Sequence, residues 1–120
     1  ERTNQRRLKL WKMKAWVYCR ISPHAPKSLL NFQKAQLDNI ANENNMIIVG
    51  HTNVISNGKF LNSFELQNLI LEIRRQSFDI LLINSPMRIS IYPDIFEEFE
   101  MMCRLYNIKV LSYIDYINKK

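Results

Sequence analysis

Hydrophobic positions along this chain repeat alternately at a strand-like and a helix-like spacing. Residues 15–21, AWVYCRI, are aromatic and β-branched and predict a strand. Two prolines in PHAP, 23–26, stop it, since proline cannot donate to a ladder. From Lys27 to Asn44 the pattern turns helical, with Leu29, Leu30, Phe32, Leu37, Ile40 and Ala41 near i, i+3, i+4 spacing. Met46 to Val49 reads as a short buried strand, and SNGK at 56–59 as a turn or mobile loop. Asn62 or Ser63 is placed to cap a second helix, whose apolar face is Phe64, Leu66, Leu69, Ile70 and Ile73. FDILLINS, 78–85, is the clearest buried strand, and Pro86 ends it. MRISIY is irregular. Pro93 opens a third helix with Asp94 beside its positive end, and Ile95, Phe96, Phe99, Met102, Cys103 and Tyr106 form its buried face. IKVLSYI, 108–114, is the last strand.

Short apolar strands alternating with amphipathic helices imply an α/β fold. The expected architecture has three layers: a mostly parallel sheet of four to five strands with helices on both faces. In such sheets ligands gather at the carboxyl ends of strands. The end of the first strand and the loop at 84–91 share that edge.

Composition narrows this picture. A chain of 120 residues with 47% apolar content suffices for one domain with a core. No apolar run approaches the roughly 20 residues that span a bilayer, so no membrane partner is expected. No secretory signal is visible, and Cys19 and Cys103 lie in apolar patterns, which suits reduced thiols in the cytoplasm. His24 and His51 are not at ligand spacing, so no metal site is expected.

The net charge of +6 is unevenly placed. Residues 1–14 hold six Lys/Arg against one Glu, and the remaining chain is nearly balanced. The expected organisation is therefore a basic N-terminal arm, 1–14, and a domain, 15–120. Such an arm suits phosphate neutralisation, or is simply a solvated tail.

Several chemistries are absent. With two glycines and no Gly-rich loop, neither a dinucleotide site nor a P-loop is indicated. Glu97 and Glu98 read as a solvated helix face. Candidate chemistry is left to Ser22, Arg20 and Arg88. Arg20 and Ser22 are two apart, hence on one side of the strand, and Arg88 follows the third strand. Guanidinium forks match phosphate oxygens, and a serine hydroxyl beside them suits nucleophilic attack on phosphorus. The bland alternative is an arginine snorkelling from the strand edge and a serine bonding the next turn.

Taken in order, the segments resemble the catalytic domain of the serine recombinases, the resolvase and invertase family. YCRIS resembles the family's Tyr-x-Arg-Val-Ser opening. SLLNFQKAQL resembles the next helix, with Gln33 and Leu37 at a Gln-x-x-x-Leu spacing. TNVIS resembles its mobile segment, NSFELQNLILEI its second helix, and FDILLINSPMRIS its Asp-x-Leu-Leu-Val strand and arginine loop. The resemblance covers roughly residues 15–115. It implies site-specific DNA strand exchange, of the kind used in integration and by mobile elements. A phosphoserine link to DNA would form on Ser22, with Arg20 and Arg88 holding the phosphate. It implies DNA and further copies of the chain as partners, and no cofactor.

The chain departs from the pattern at defined places. A catalytic arginine of the second helix reads Ser63, and the Asp and second Arg of the later loop read Met87 and Ile91. The mobile segment's Asp and Gly read Asn53 and Asn57. If each lost guanidinium acts like an oxyanion-hole donor, each costs about 2.7–4 kcal/mol of transition-state stabilisation. No helix-turn-helix follows SYIDYINKK, so the expected domain lacks a C-terminal DNA-binding module. Two other readings compete: a non-catalytic resolvase-fold protein acting in DNA or protein binding, and an unrelated flavodoxin-like binding module.

Overall fold

The computed structural model describes residues 12–119. Four strands and four helices alternate through them. They are β1 (Lys14–Ile21), α1 (Ser28–Glu43), β2 (Ile47–Ile55), α2 (Phe64–Arg74), β3 (Ile80–Ile83), α3 (Pro93–Leu105), β4 (Lys109–Ser112) and α4 (Tyr113–Asn118). A single 3₁₀ turn, Pro86–Arg88, interrupts the loop before α3. The strands pair in the order β2-β1-β3-β4, and every pairing is parallel. The expected three-layer α/β architecture holds, with four strands.

Alternation along β1 sends successive side chains to opposite faces and so creates two cores. Ala15, Val17 and Cys19 pack with Ile80 and Leu82 against Leu37, Ile40 and Ala41 of α1, with Tyr113 and Tyr116 alongside. Tyr18 packs with Leu81 and Ile83 against Leu66, Leu69 and Ile73 of α2 and Phe99 and Cys103 of α3. The chain thus winds one way from β1 to β2 and the other way from β3 onward. The crevice of such a sheet lies where the winding reverses, between the carboxyl ends of β1 and β3.

Four expectations need correction. The second strand is not short and buried. It runs nine residues as an edge strand with Ile47, Val49 and Ile55 each more than two-fifths exposed. Its partner is β1, whose eight residues pair along their full length, so ladder bonding rather than apolar content sets its extent. For the same reason Thr52–Ile55, expected in a mobile segment, belong to β2. Gly50 fits this edge because the Trp16 ring lies over it, where a Cβ would stand 2.2 Å away. The third strand is confined to Ile80–Ile83, because neighbours pair with it only there. The last strand ends at Ser112, whose hydroxyl accepts from Asp115 N at 3.1 Å and caps α4, so Tyr113 and Ile114 are helical.

The α2 start is as expected: Ser63 is its N-cap, accepting from Leu66 N at 3.2 Å. Phe64, assigned to the buried face, is instead 77% exposed, because it precedes the first turn that touches the sheet. Phe32 of α1 is likewise outside the core. Of the basic arm, residues 1–11 lie outside the described residues. Lys12 and Met13 are exposed, and Lys14 already begins β1.

Candidate functional site

β1 is longer than its inner neighbour. It pairs with β3 only from Ala15 to Val17, so its backbone beyond Val17 would lack partners on that side. Gln33 fills the gap. Its side-chain carbonyl accepts from Arg20 N at 3.1 Å, and its amide donates to Arg20 O at 2.9 Å. The side chain acts as one rung of a missing strand. Gln33 is 3% exposed and lies on the apolar stripe of α1, where a lone polar residue among Leu30, Leu37 and Ile40 is the sequence signal of a buried partner.

Arg20 is buried at 5% exposure, with its head turned inward rather than emerging beside Ser22. Its Nε donates to Arg88 O at 2.9 Å, Nη1 to Ser56 O at 2.9 Å, and Nη2 to Met87 O at 2.8 Å. Three carbonyls from two loops therefore converge on one guanidinium, and two of its five N–H groups are left over. Burial is the main influence pulling its pKa down; Tyr18 opposes that, and the Arg88 charge adds to it. Gly58 closes the cage. Its φ is +75°, and a Cβ there would sit 2.5 Å from Arg20 Cζ, so glycine is required on both counts.

Arg88 comes to the same place from the 3₁₀ turn. Its Nη1 donates to Arg20 O at 3.2 Å, while its Nε is buried without a hydrogen-bond partner. Ion pairs among the described residues join Lys34 to Asp38, Arg75 to Glu72 and Arg104 to Glu100, and none involves Arg20 or Arg88. The two arginines thus hold each other's backbone carbonyls, with no carboxylate paired to either. α1 begins beside them with Lys27 at its N-cap and no acidic residue in its first turn, which adds to the positive potential.

Ser22 directly follows β1, and its side chain is exposed. Its carbonyl accepts from Ala25 N at 3.1 Å, which turns the chain toward α1. Tyr18, on the same strand face as Arg20, has a buried hydroxyl without a partner, and burial raises its pKa despite the lowering pull of Arg20. It stays a neutral phenol. The Cys19 and Cys103 thiols are pushed up to about 12 by burial and are inert.

The structure therefore brings Arg20 and Arg88 into contact and leaves Ser22 open at the end of the same strand. Ser63 is spent on its helix cap, the Met87 side chain is 60% exposed while its carbonyl serves Arg20, and Ile91 N donates to Gly58 O at 2.9 Å. The contributions of Gln33, Gly58 and the Ser56 carbonyl were not evident from spacing. Those of Gly58 and Ser56 depend on loops that meet only in the fold, and that of Gln33 on β1 outrunning β3.

No family model matches the chain, and no curated protein matches it. Solved structures do. The C-terminal catalytic domain of ISC1926 TnpA, an IS607-like serine recombinase, is 24% identical at a TM-score of 0.79, over 84% of this chain and 70% of that one. The N-terminal catalytic domain of TP901-1 integrase is 19% identical at 0.76, over 85% and 78%. A resolvase family site-specific recombinase from Streptococcus pneumoniae is 16% identical at 0.75, over 87% and 74%. The fold is thus that of serine-recombinase catalytic domains, in agreement with the resemblance read from the sequence.

Proposed function

We propose that this chain is the catalytic domain of a serine-type site-specific DNA recombinase, with Ser22 as nucleophile and Arg88 and Arg20 as the phosphate-binding pair. One observation carries the reading: Arg20 and Arg88 each donate to the other's backbone carbonyl with no carboxylate paired to either, Arg88 keeps a buried N–H unpartnered, and an exposed serine directly follows the strand that bears Arg20. An unpartnered buried donor costs about 1–3 kcal/mol, and a phosphate oxygen is the acceptor that suits it.

In this reading Ser22 Oγ bonds to the scissile phosphorus and loses its proton. The bond from phosphorus to the leaving deoxyribose oxygen breaks, and that oxygen is protonated. The phosphoserine ester retains the energy of the broken bond, so a deoxyribose hydroxyl of the exchanged strand reverses the step. Charge developing on the phosphoryl oxygens falls to Arg88 and to the two remaining N–H groups of Arg20. Exchange between duplexes needs further copies of the chain. The arm at 1–14 supplies phosphate neutralisation, and the domain works in the cytoplasm, where buried thiols stay reduced.

No helix among the described residues is long and apolar enough to cross a membrane. A second reading is favoured by the cage itself. Three of Arg20's N–H groups are committed to carbonyls, and Ser63 caps a helix where the family pattern has an arginine. A resolvase fold that binds DNA without cutting it would look the same. The test is incubation with nicked duplex DNA, followed by denaturing electrophoresis. An adduct present in the wild type and absent in Ser22→Ala supports catalysis. Salt-sensitive binding with no adduct supports the second reading, and neither result supports a protein-contact role.

A further inference from the structure

The two loops that enclose Arg20 also carry aromatic rings that face water. Phe60 is 61% exposed and Tyr92 is 38% exposed, and their centroids lie 6.2 Å apart at an interplanar angle of 53°. This tilted arrangement lets one ring support the other. Both are held in place by the loop contacts. Ser90 Oγ donates to Lys59 O at 3.2 Å, Ile91 N donates to Gly58 O at 2.9 Å, and Tyr92 N donates to Ser90 Oγ at 3.1 Å. Phe60 is two residues beyond the glycine that touches the Arg20 guanidinium, and Tyr92 is four beyond Arg88. The loops, 56–61 and 86–92, contain Lys59 and Arg88 and no acidic residue.

We propose that Phe60 and Tyr92, on the loops that enclose Arg20 and carry Arg88, form a nucleobase-stacking platform, which selects DNA with an unstacked base next to the bound phosphate. The inference rests on the phosphate-binding reading above. The reasoning is one of complementarity. An exposed apolar surface rimmed by uncompensated cations fits a ligand that joins a flat apolar body to an anion, and a nucleotide is such a ligand. A paired, stacked base offers its face to neither ring, so the platform acts on single strands or on duplex opened at the site. The rings need no reordering on binding, because the hydrogen bonds between the loops already fix their backbones.

Fluorescence anisotropy with two labelled single strands of about 16 nucleotides tests this, one of thymidine and one abasic throughout. Ser22→Ala protein is used, so that no covalent step intervenes. Tighter binding of the thymidine strand by about tenfold is expected. Phe60→Leu and Tyr92→Leu keep apolar bulk and remove the ring, and either should reduce that preference toward parity. Arg88→Ala should weaken both strands alike. Equal affinity of the parent protein for the two strands overturns the platform while leaving phosphate binding intact. A preference that survives in Phe60→Leu overturns it as well, and a changed sedimentation mass in that variant would assign the patch to a second copy of the chain. Binding to neither strand overturns the phosphate reading and the platform together.

Discussion

The inner and outer parts of the carboxyl edge use the same side chain to opposite ends. Inside, Arg20 is buried and donates to three carbonyls that would otherwise lack partners. Outside, Arg88 makes one longer bond to a carbonyl and keeps a donor unused. A guanidinium that commits three of its five N–H groups to backbone organises loops, whereas one left short of acceptors is poised for a ligand. The inner arginine thereby gives the outer one its position, since the carbonyl it holds at 2.9 Å is that of Arg88 itself.

This contrast breaks most visibly if Arg20 is removed. Arg20→Met keeps the buried stem and strands the carbonyls of Ser56, Met87 and Arg88. Hydrogen bonds to a charged donor contribute about 1.5–3 kcal/mol each, and part of each carbonyl's loss is recovered by water. A destabilisation of about 3–5 kcal/mol is expected in urea titration, comparable to breaking a buried charged network. A loss under about 1 kcal/mol would mean the cage is not structural. Arg20→Lys should recover little, because a point charge cannot serve three divergent carbonyls.

Gly58→Ala tests the cage from its lid. The new methyl meets the guanidinium, and the backbone sits at φ +75°, where L-residues are strained. About 1–3 kcal/mol of lost stability is expected by thermal unfolding. Full stability would show that the loop can move away from Arg20 at no cost, and the rigid-loop argument for Phe60 and Tyr92 would fall with it.

These effects also mark the limit of what was legible in the chain. Alternation and helical spacing located the four strands and α1, α2 and α3, because β3 and the inner faces of those helices are built from apolar runs, while the short α4 was read as the end of the last strand. The edge strand was shortened in the reading since Gly50, His51 and Asn53 carry no apolar signal; the bonds that extend it belong to β1. Arg20, Ser22 and Arg88 were visible as residues. The direction of the Arg20 head was not, because it follows from carbonyls 36 to 68 residues away in sequence. Gln33 was noticed for its spacing and not for its work, since no local pattern shows that β1 outruns β3.

Ser63→Ala is smaller in scale. The hydroxyl satisfies one N–H at the start of α2, and losing such a cap costs about 1 kcal/mol. If the site has no need of position 63, DNA binding by Ser63→Ala should match that of the wild type once stability is allowed for. A change in affinity larger than a change in melting would instead put α2's first turn at the phosphate.

Arg88→Ala should move stability least. It loses one bond of 3.2 Å, but it also removes a buried donor without a partner and a charge beside Arg20. These contributions oppose one another, so the net change in urea titration should stay within about 1 kcal/mol. Its effect belongs to binding. Affinity for DNA should fall, and the slope of log affinity against log salt should become shallower by about 0.9, the share of one phosphate contact on duplex DNA. An unchanged slope would detach Arg88 from the phosphate. A loss of stability as large as that from Arg20→Met would erase the difference between the two arginines and make both of them parts of the scaffold.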